Sequence, residues 1–187
     1  FFEAMMRGRN YEDVAIIAPR ICGICSVAHS TASIQASEAA FGTQLSEQTM
    51  LLRKLLFNAD MLQSHVLHFY FLAAPDFVGV GSVFSLVNTH KEVVLRALRL
   101  KKLANDLADL IGGRKTHPMA CIVGGFAKLP ELSQLKTMQQ RLSQAMGDLK
   151  ETVKLFQRLN IPDFIRETEY IALKDPKEYA LISGDIS

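Results

Sequence analysis

The side chains best equipped for chemistry sit close together in Arg20-Ile21-Cys22-Gly23-Ile24-Cys25-Ser26-Val27-Ala28-His29. Two cysteines three residues apart at the start of a helix carry both sulfurs to one side. Free backbone N–H groups and the positive end of the helix dipole favour thiolate over thiol there, and Arg20 adds positive charge. His29, four residues past Cys25, lies one turn on over the same face. Gly23 lets another group come close to the backbone. Residue types and spacing leave four readings open. One is a dithiol redox pair, which lacks the alternating strand–helix pattern expected around it. Another is a structural zinc site of Cys22, Cys25 and His29, with or without Cys121, which lacks a second cysteine pair at zinc spacing. The third is two thiolates of a soft transition-metal site completed from elsewhere. The last is two inert, buried cysteines.

Other polar or reactive residues read as structural. His65 and His68 lie near an apolar helical stripe and are expected to be hydrogen-bonding core or interface groups rather than metal ligands. Cys121 is expected to be a small buried hydrophobe. Met5, Met6, Met50, Met61, Met138 and Met146 read as gap-filling core. Gly124-Gly125 is a tight turn rather than a phosphate loop, since no Gly-Lys-Ser/Thr follows. Lys101-Lys102 reads as a solvated helix face.

Helices must position the cysteine segment. Asn10, with Asp13 three residues on, marks a cap before the apolar stretch Val14 to Ala18, which Pro19 should end. Ser26 to Phe41 reads as a helix stopped by Gly42. Ser46 caps the longest element, Glu47 to Ala73, about 40 Å at 1.5 Å per residue. Its stripe is Leu52, Leu55, Leu56, Ala59, Leu62, Val66, Phe69 and Ala73, with Arg53, Lys54, Asn58 and Asp60 mostly off it. Pro75-Asp76 should open a loop. A third long helix runs from Lys91 to Leu110, closed by Gly112-Gly113. A loop from Arg114 to Pro130 and a fourth helix, Glu131 to Leu159, follow. Tyr170 to Ser187, with Tyr179-Ala180-Leu181-Ile182, reads as strand or extended chain. The class is mainly α: a long-helix bundle with a short β or extended C-terminal part.

The 187 residues are 49% hydrophobic and 21% charged, which excludes wholesale disorder. Lys+Arg 21 against Asp+Glu 19 gives +2 without a block of like charge, so no nucleic-acid or anionic-membrane surface is indicated. No apolar run is long enough to span a bilayer. Three cysteines in this length do not make a disulfide framework. The chain starts Phe1-Phe2-Glu3 without Met and is read as a single partial domain, 1–187, excised from something longer.

Arg-Ile-Cys-Gly-Ile-Cys-x-x-x-His closely resembles the N-terminal cysteine motif of the large, catalytic subunit of [NiFe]-hydrogenases. Phe2-Glu3, Gly8-Arg9, Ser64-His65-Val66-Leu67-His68-Phe69-Tyr70, Gly112-Gly113-Arg114 with His117-Pro118, and Gly124-Gly125-Phe126 resemble that family in order, over residues 1 to 130. The detail is most similar to the cytoplasmic multimeric branch, which couples hydrogen to NAD(P), coenzyme F420 or a similar carrier.

The resemblance implies a reaction, H2 ⇌ 2H⁺ + 2e⁻, and a set of residue roles. Cys22 would be a terminal nickel ligand, and Cys25 would bridge nickel to an iron that carries CN and CO ligands. His29 would support the bridging sulfur from outside the ligand set. Glu3 would ligate Mg²⁺ or another divalent ion. His117 would face the cluster of an iron–sulfur small subunit, with a role in the electron path or the interface. Four cysteines build the centre in that family, and the second pair, in an Asp-Pro-Cys-x-x-Cys setting, is not in this chain. The Arg-Ile-Glu-Gly-His segment is also absent, and Ser64 stands where many members carry Asp. The chain by itself is therefore expected to be inactive.

Overall fold

The computed structural model describes residues 1–187. It is mainly α with small sheets, as the sequence predicts. Two short helices, α1 (Phe2–Met6) and α2 (Tyr11–Ile17), lead into a 3-10 turn, Ala18–Ile21, that contains Pro19. Helix α3 covers Ser26–Phe41 and stops at Gly42, whose φ of 67° is left-handed and costs glycine little. Helix α4 covers Glu47–Val66 and starts where Ser46 Oγ accepts the Thr49 N–H at 3.2 Å.

Pro75 does not open a loop. The α4 axis continues as a π-helical stretch, Leu67–Ala73, into the short helix α5 (Ala74–Phe77). Proline has no N–H to donate, and its ring collides with the carbonyl four residues back in an α-helix. The wider π turn just before it lets the axis run on.

Helix α6 (Lys91–Gly112) is followed by Gly113 at φ 74°. The expected 114–130 loop contains a small hairpin, β1 (Cys121–Ile122) with β2 (Gly125–Phe126), turned at Gly124. Helix α7 covers Leu132–Phe156. Beyond it the only paired segments are β3 (Leu173–Lys174) and β4 (Asp185–Ile186). The run Tyr179 to Ile182 is not a strand, because the alternation there has no neighbouring strand to pair with. No helix is long and apolar enough to cross a membrane.

The core lies where α3, α4, α6 and α7 meet. Val27, Ile34, Leu52, Leu56, Ala59, Leu103, Leu107, Ile111 and Met138 form its main cluster, together with Cys121, which is the small buried hydrophobe expected. Met146 is half exposed and Met5 is exposed, so neither is core in this chain. Arg99 grips Asp148 with two bonds of 2.9 Å, and Arg141 reaches Asp106 at 2.7 Å, fastening α7 along α6.

One polar cluster penetrates this core. Arg53 on α4 is 2% exposed and donates to both oxygens of Glu38 on α3, at 2.7 and 2.6 Å. It also donates to the Ile122 carbonyl at 3.0 Å, and the Gly124 N–H donates to Glu38 at 2.7 Å. The sequence expectation that Arg53 and Asp60 lie off the buried face is therefore corrected, since both are buried. Arg53 is there because Glu38 and the hairpin carbonyl satisfy it, which a one-helix pattern cannot show. Burial works against the charged carboxylate of Glu38, but Arg53 and the Gly124 N–H outweigh it and hold the carboxyl below its ordinary 4.5.

Gly112 closes the end of α6. Its carbonyl accepts the N–H of Met119 and of Ala120, each at 3.0 Å, so the loop folds back over it. A Cβ there would stand 2.9 Å from Pro118 Cβ and 3.0 Å from Leu56 Cδ1.

Two outcomes follow, both read by thermal unfolding of the protein that carries this chain. Gly112→Ala should destabilise it by about 1–3 kcal/mol through overpacking. Glu38→Gln should cost about 3–5 kcal/mol by leaving Arg53 without its counter-charge. The carboxyl is depressed in the folded state, so its contribution is present above the ordinary value of 4.5 and is lost as pH falls below it. Stability should fall more steeply between pH 5 and pH 3 in the wild type than in an E38Q/R53M pair.

Candidate metal centre

The cysteine segment is held between structural elements. The Cys22 N–H bonds the Pro19 carbonyl at 3.4 Å, and Cys25 is the residue immediately before α3. From that position the Cys25 N–H, free of any helical partner, donates to Cys22 Sγ at 3.2 Å. Both thiols are free and half-buried. Ile24 between them is 50% exposed, and its carbonyl accepts from Ser64 Oγ on α4 at 3.4 Å.

The two thiols differ in acidity because of their mutual geometry. The Cys25 thiol donates to the Cys22 sulfur, and the backbone N–H groups of Cys25 and Ile24 add to it, so the Cys22 pKa falls below its ordinary 9.0. Donating to Cys22 raises the Cys25 pKa above that value, and burial and the charge of Cys22 push it further. Asp60, buried on α4, bears electrostatically on both thiols and raises each. Burial lifts Asp60 itself to about 6, partly offset by Lys101. Lys101 is not part of a solvated face: it is partly buried and its Nζ donates to the Gln63 carbonyl at 3.3 Å. Lys102 is the solvated member of that pair, bonded to Asp106 at 2.8 Å.

The remaining sequence candidates are placed as follows. The His29 N–H bonds the Cys25 carbonyl at 3.3 Å, and its ring has no hydrogen-bond partner in the chain. Glu3 is exposed and paired with Arg7 at 2.8 Å, away from any second carboxylate or histidine that could share a metal. Cys121 sits against Arg53 in the core, and no three His, Cys, Asp or Glu side chains converge on a metal position. Cys121 is therefore not a partner of Cys22, Cys25 and His29 in a zinc site within this chain. His65 and His68 are exposed rather than core. They border an apolar cavity of about 610 Å³ that reaches Ile24 and is walled by Leu62, Phe69, Leu72 and Phe156.

The sequence reading missed Ser26 and Pro19, which receive His117. The His117 N–H donates to Ser26 Oγ at 3.1 Å, and Nδ1 lies 2.9 Å from the Pro19 carbonyl. Asp60 was also missed. Its only sequence signal is an acid one turn before Ser64 on the apolar-striped helix.

The donor set fits half of a soft-metal site. Two neighbouring sulfurs, one of them acidified, are half exposed, and the space beside Gly23 is open, since a Cβ there would meet nothing within 4 Å. A chain with only these two donors needs the other ligands from elsewhere.

Known proteins resemble this chain in both sequence and fold. The profile of the family described as Nickel-dependent hydrogenase matches residues 1–94, which include both cysteines. The alpha subunit of sulfhydrogenase 1 from Pyrococcus furiosus is 40% identical over 159 residues, covering 85% of this chain and 37% of the relative. The matching chain of the vhu F420-non-reducing hydrogenase of Methanocaldococcus jannaschii is 36% identical over 166 residues, covering 85% and 40%. Among solved structures, an NAD+-reducing [NiFe]-hydrogenase in its H2-reduced state superposes with a TM-score of 0.79 at 28% identity, covering 84% of this chain and 37% of that one. The chain thus spans well under half the length of the relatives it matches. The bundle, the cysteine segment and the match over residues 1–94 agree, and the chain belongs to the nickel-dependent hydrogenase family.

Proposed function

We propose that this chain is a section of the catalytic subunit of a hydrogenase and supplies two of the four thiolates that hold a nickel–iron centre. The observation that carries the reading is the cysteine pair itself. Cys22 and Cys25 are neighbouring, half-exposed thiols, the Cys25 N–H lies on the Cys22 sulfur at 3.2 Å, and both fall within the family match.

Dihydrogen is nonpolar and a very weak acid, so splitting it into hydride and proton needs an electrophile and a base. The bound centre supplies the hydride acceptor, which no ordinary side chain offers. The chain's own residues hold and tune it. Cys22 would hold nickel through its sulfur, and Cys25 would hold nickel and iron. The hydrogen bonds that favour thiolate at Cys22 prepare that sulfur to bind a soft metal. His29, one turn from Cys25, supports the bridging sulfur, and its unpartnered ring is free to do so. Glu3 offers its carboxylate to Mg²⁺ or another divalent ion whose remaining ligands come from outside this chain. Iron–sulfur clusters of a small subunit would take the electrons.

The named relatives act with different carriers: one reduces NAD+, and another is described as not reducing F420. An NAD(P)-linked or similar cytoplasmic assembly with further electron-transfer subunits is the reading we carry to this chain. A metal-free, quinone-binding relative is the competing reading. It gives no reason for Cys22 and Cys25 to be kept as a hydrogen-bonded, half-exposed pair.

Elemental analysis of the complete, host-matured protein separates these readings. About one nickel per protomer is expected, and none would leave the quinone-binding relative standing. Cys25→Ala should abolish both nickel retention and hydrogen uptake. Absence of a downstream Cys-x-x-Cys from the complete protein would end the four-thiolate proposal. In the metal-free protein, iodoacetamide should label Cys22 before Cys25 at pH values just below 9, because the former is acidified and the latter is not; peptide mass mapping reads the order.

A further inference from the structure

His117 is the one non-glycine residue in the chain with positive φ, at 55°. A side chain in that region is strained and persists only where its surroundings over-determine it. Here the surroundings are the two flanks of the cysteine segment. The His117 N–H donates to Ser26 Oγ at 3.1 Å, and Ser26 follows Cys25 directly. The ring Nδ1 lies 2.9 Å from the carbonyl of Pro19, the same carbonyl that takes the Cys22 N–H at 3.4 Å. A carbonyl only accepts, so Nδ1 carries a proton in this contact and Nε2 takes no part in it. Ser26 is 2% exposed, so water does not compete for its hydroxyl. The loop that delivers His117 is itself pinned: Pro118 packs on the bare Gly112, whose carbonyl holds Met119 and Ala120.

We propose that His117 is a positioning residue for the cysteine pair, a brace that ties the chain just before Cys22 and just after Cys25 to the α6–β1 loop, so that the two sulfurs are spaced before any metal arrives. The proposal deepens the metal-centre reading given above. It uses Nδ1 and the backbone, and leaves Nε2 free for any contact with a neighbouring protein. A pair preorganised in this way binds a two-thiol reagent more tightly than a loose one, because less chain freedom is lost on binding.

The test uses the full-length protein, produced without nickel, and phenylarsine oxide, which joins two thiols to one arsenic with release of water. Binding at the Cys22–Cys25 peptide is followed by mass mapping, with Cys25→Ser as the background. All measurements are made well below each variant's unfolding temperature. His117→Ala should weaken arsenical binding at this pair roughly tenfold, the scale set by one lost buried hydrogen bond. His117→Asn should stay within about twofold of wild type, because asparagine tolerates positive φ and places an N–H donor where Nδ1 stood. His117→Gly relieves the strain without restoring the donor and should behave like alanine. Nickel retained after maturation should follow the same order.

Unchanged arsenical binding in His117→Ala would overturn the brace. Equal losses in the Ala and Asn variants would overturn it in favour of a role for the ring's far side. Full retention in His117→Gly would overturn it too, by showing that backbone strain, not the tie, matters. Because arsenical binding needs no nickel, a brace that holds in a protein that takes up no nickel when matured in its host would defeat the hydrogenase reading alone, and a protein that takes up nickel but lacks the brace would defeat this proposal alone.

Discussion

The architecture depends on a charge held where charge is costly. Arg53 and Glu38 have left water almost completely, and the cost of removing two ions from solvent is recovered only when geometry is good and the remaining donors and acceptors are used. Two bonds join the ions, a third runs to the Ile122 carbonyl and a fourth comes from the Gly124 N–H, which leaves Arg53 Nε as the one buried donor of the cluster without a partner. The consequence is directional. An apolar contact between α3 and α4 would tolerate sliding and rotation, whereas a bidentate pair fixes both helices and the hairpin in one arrangement. Helix α3 begins one residue after Cys25, so fixing its axis also fixes where the cysteine pair points.

The candidate site is assembled from three distant stretches of chain. The cysteines come from the turn before α3, Ser64 and Asp60 from α4, and His117 from the loop after α6. Each contributes one or two polar contacts across an otherwise apolar packing. Local rules account for the first part of this: a helix N-terminus leaves backbone N–H groups without partners, and here one of them is used by a sulfur. The rest is long-range. Asp60 raises the thiol pKa values while the Cys25 hydrogen bonds lower that of Cys22, so the pair is split in acidity. Separation of that kind characterises sites where only one group is to be ionised.

The helices were legible wherever a short-range stop signal exists. Gly42 after Phe41, Ser46 before Glu47 and the glycines after Ile111 mark ends that the structure reproduces, because caps act within one turn. Pro75 misled for an instructive reason. Its clash with the carbonyl four residues back is real, but a π turn relieves it at a cost that packing of Phe69 and Tyr70 against α6 can cover, and sequence pattern does not weigh packing. Tyr179 to Ile182 alternates as a strand does, yet alternation describes which face is apolar and not whether a partner strand is present.

What the residues determined alone is local: two cysteines at i and i+3 before a helix with a histidine one turn on, a pattern specific enough to carry the family resemblance. Tertiary structure alone decided that Arg53, Asp60 and Lys101 turn inward and that His117 reaches across to both flanks of the cysteine pair. Burial of a charge is favourable only when a partner from a distant part of the chain meets it, and a linear pattern contains the charge but not the meeting.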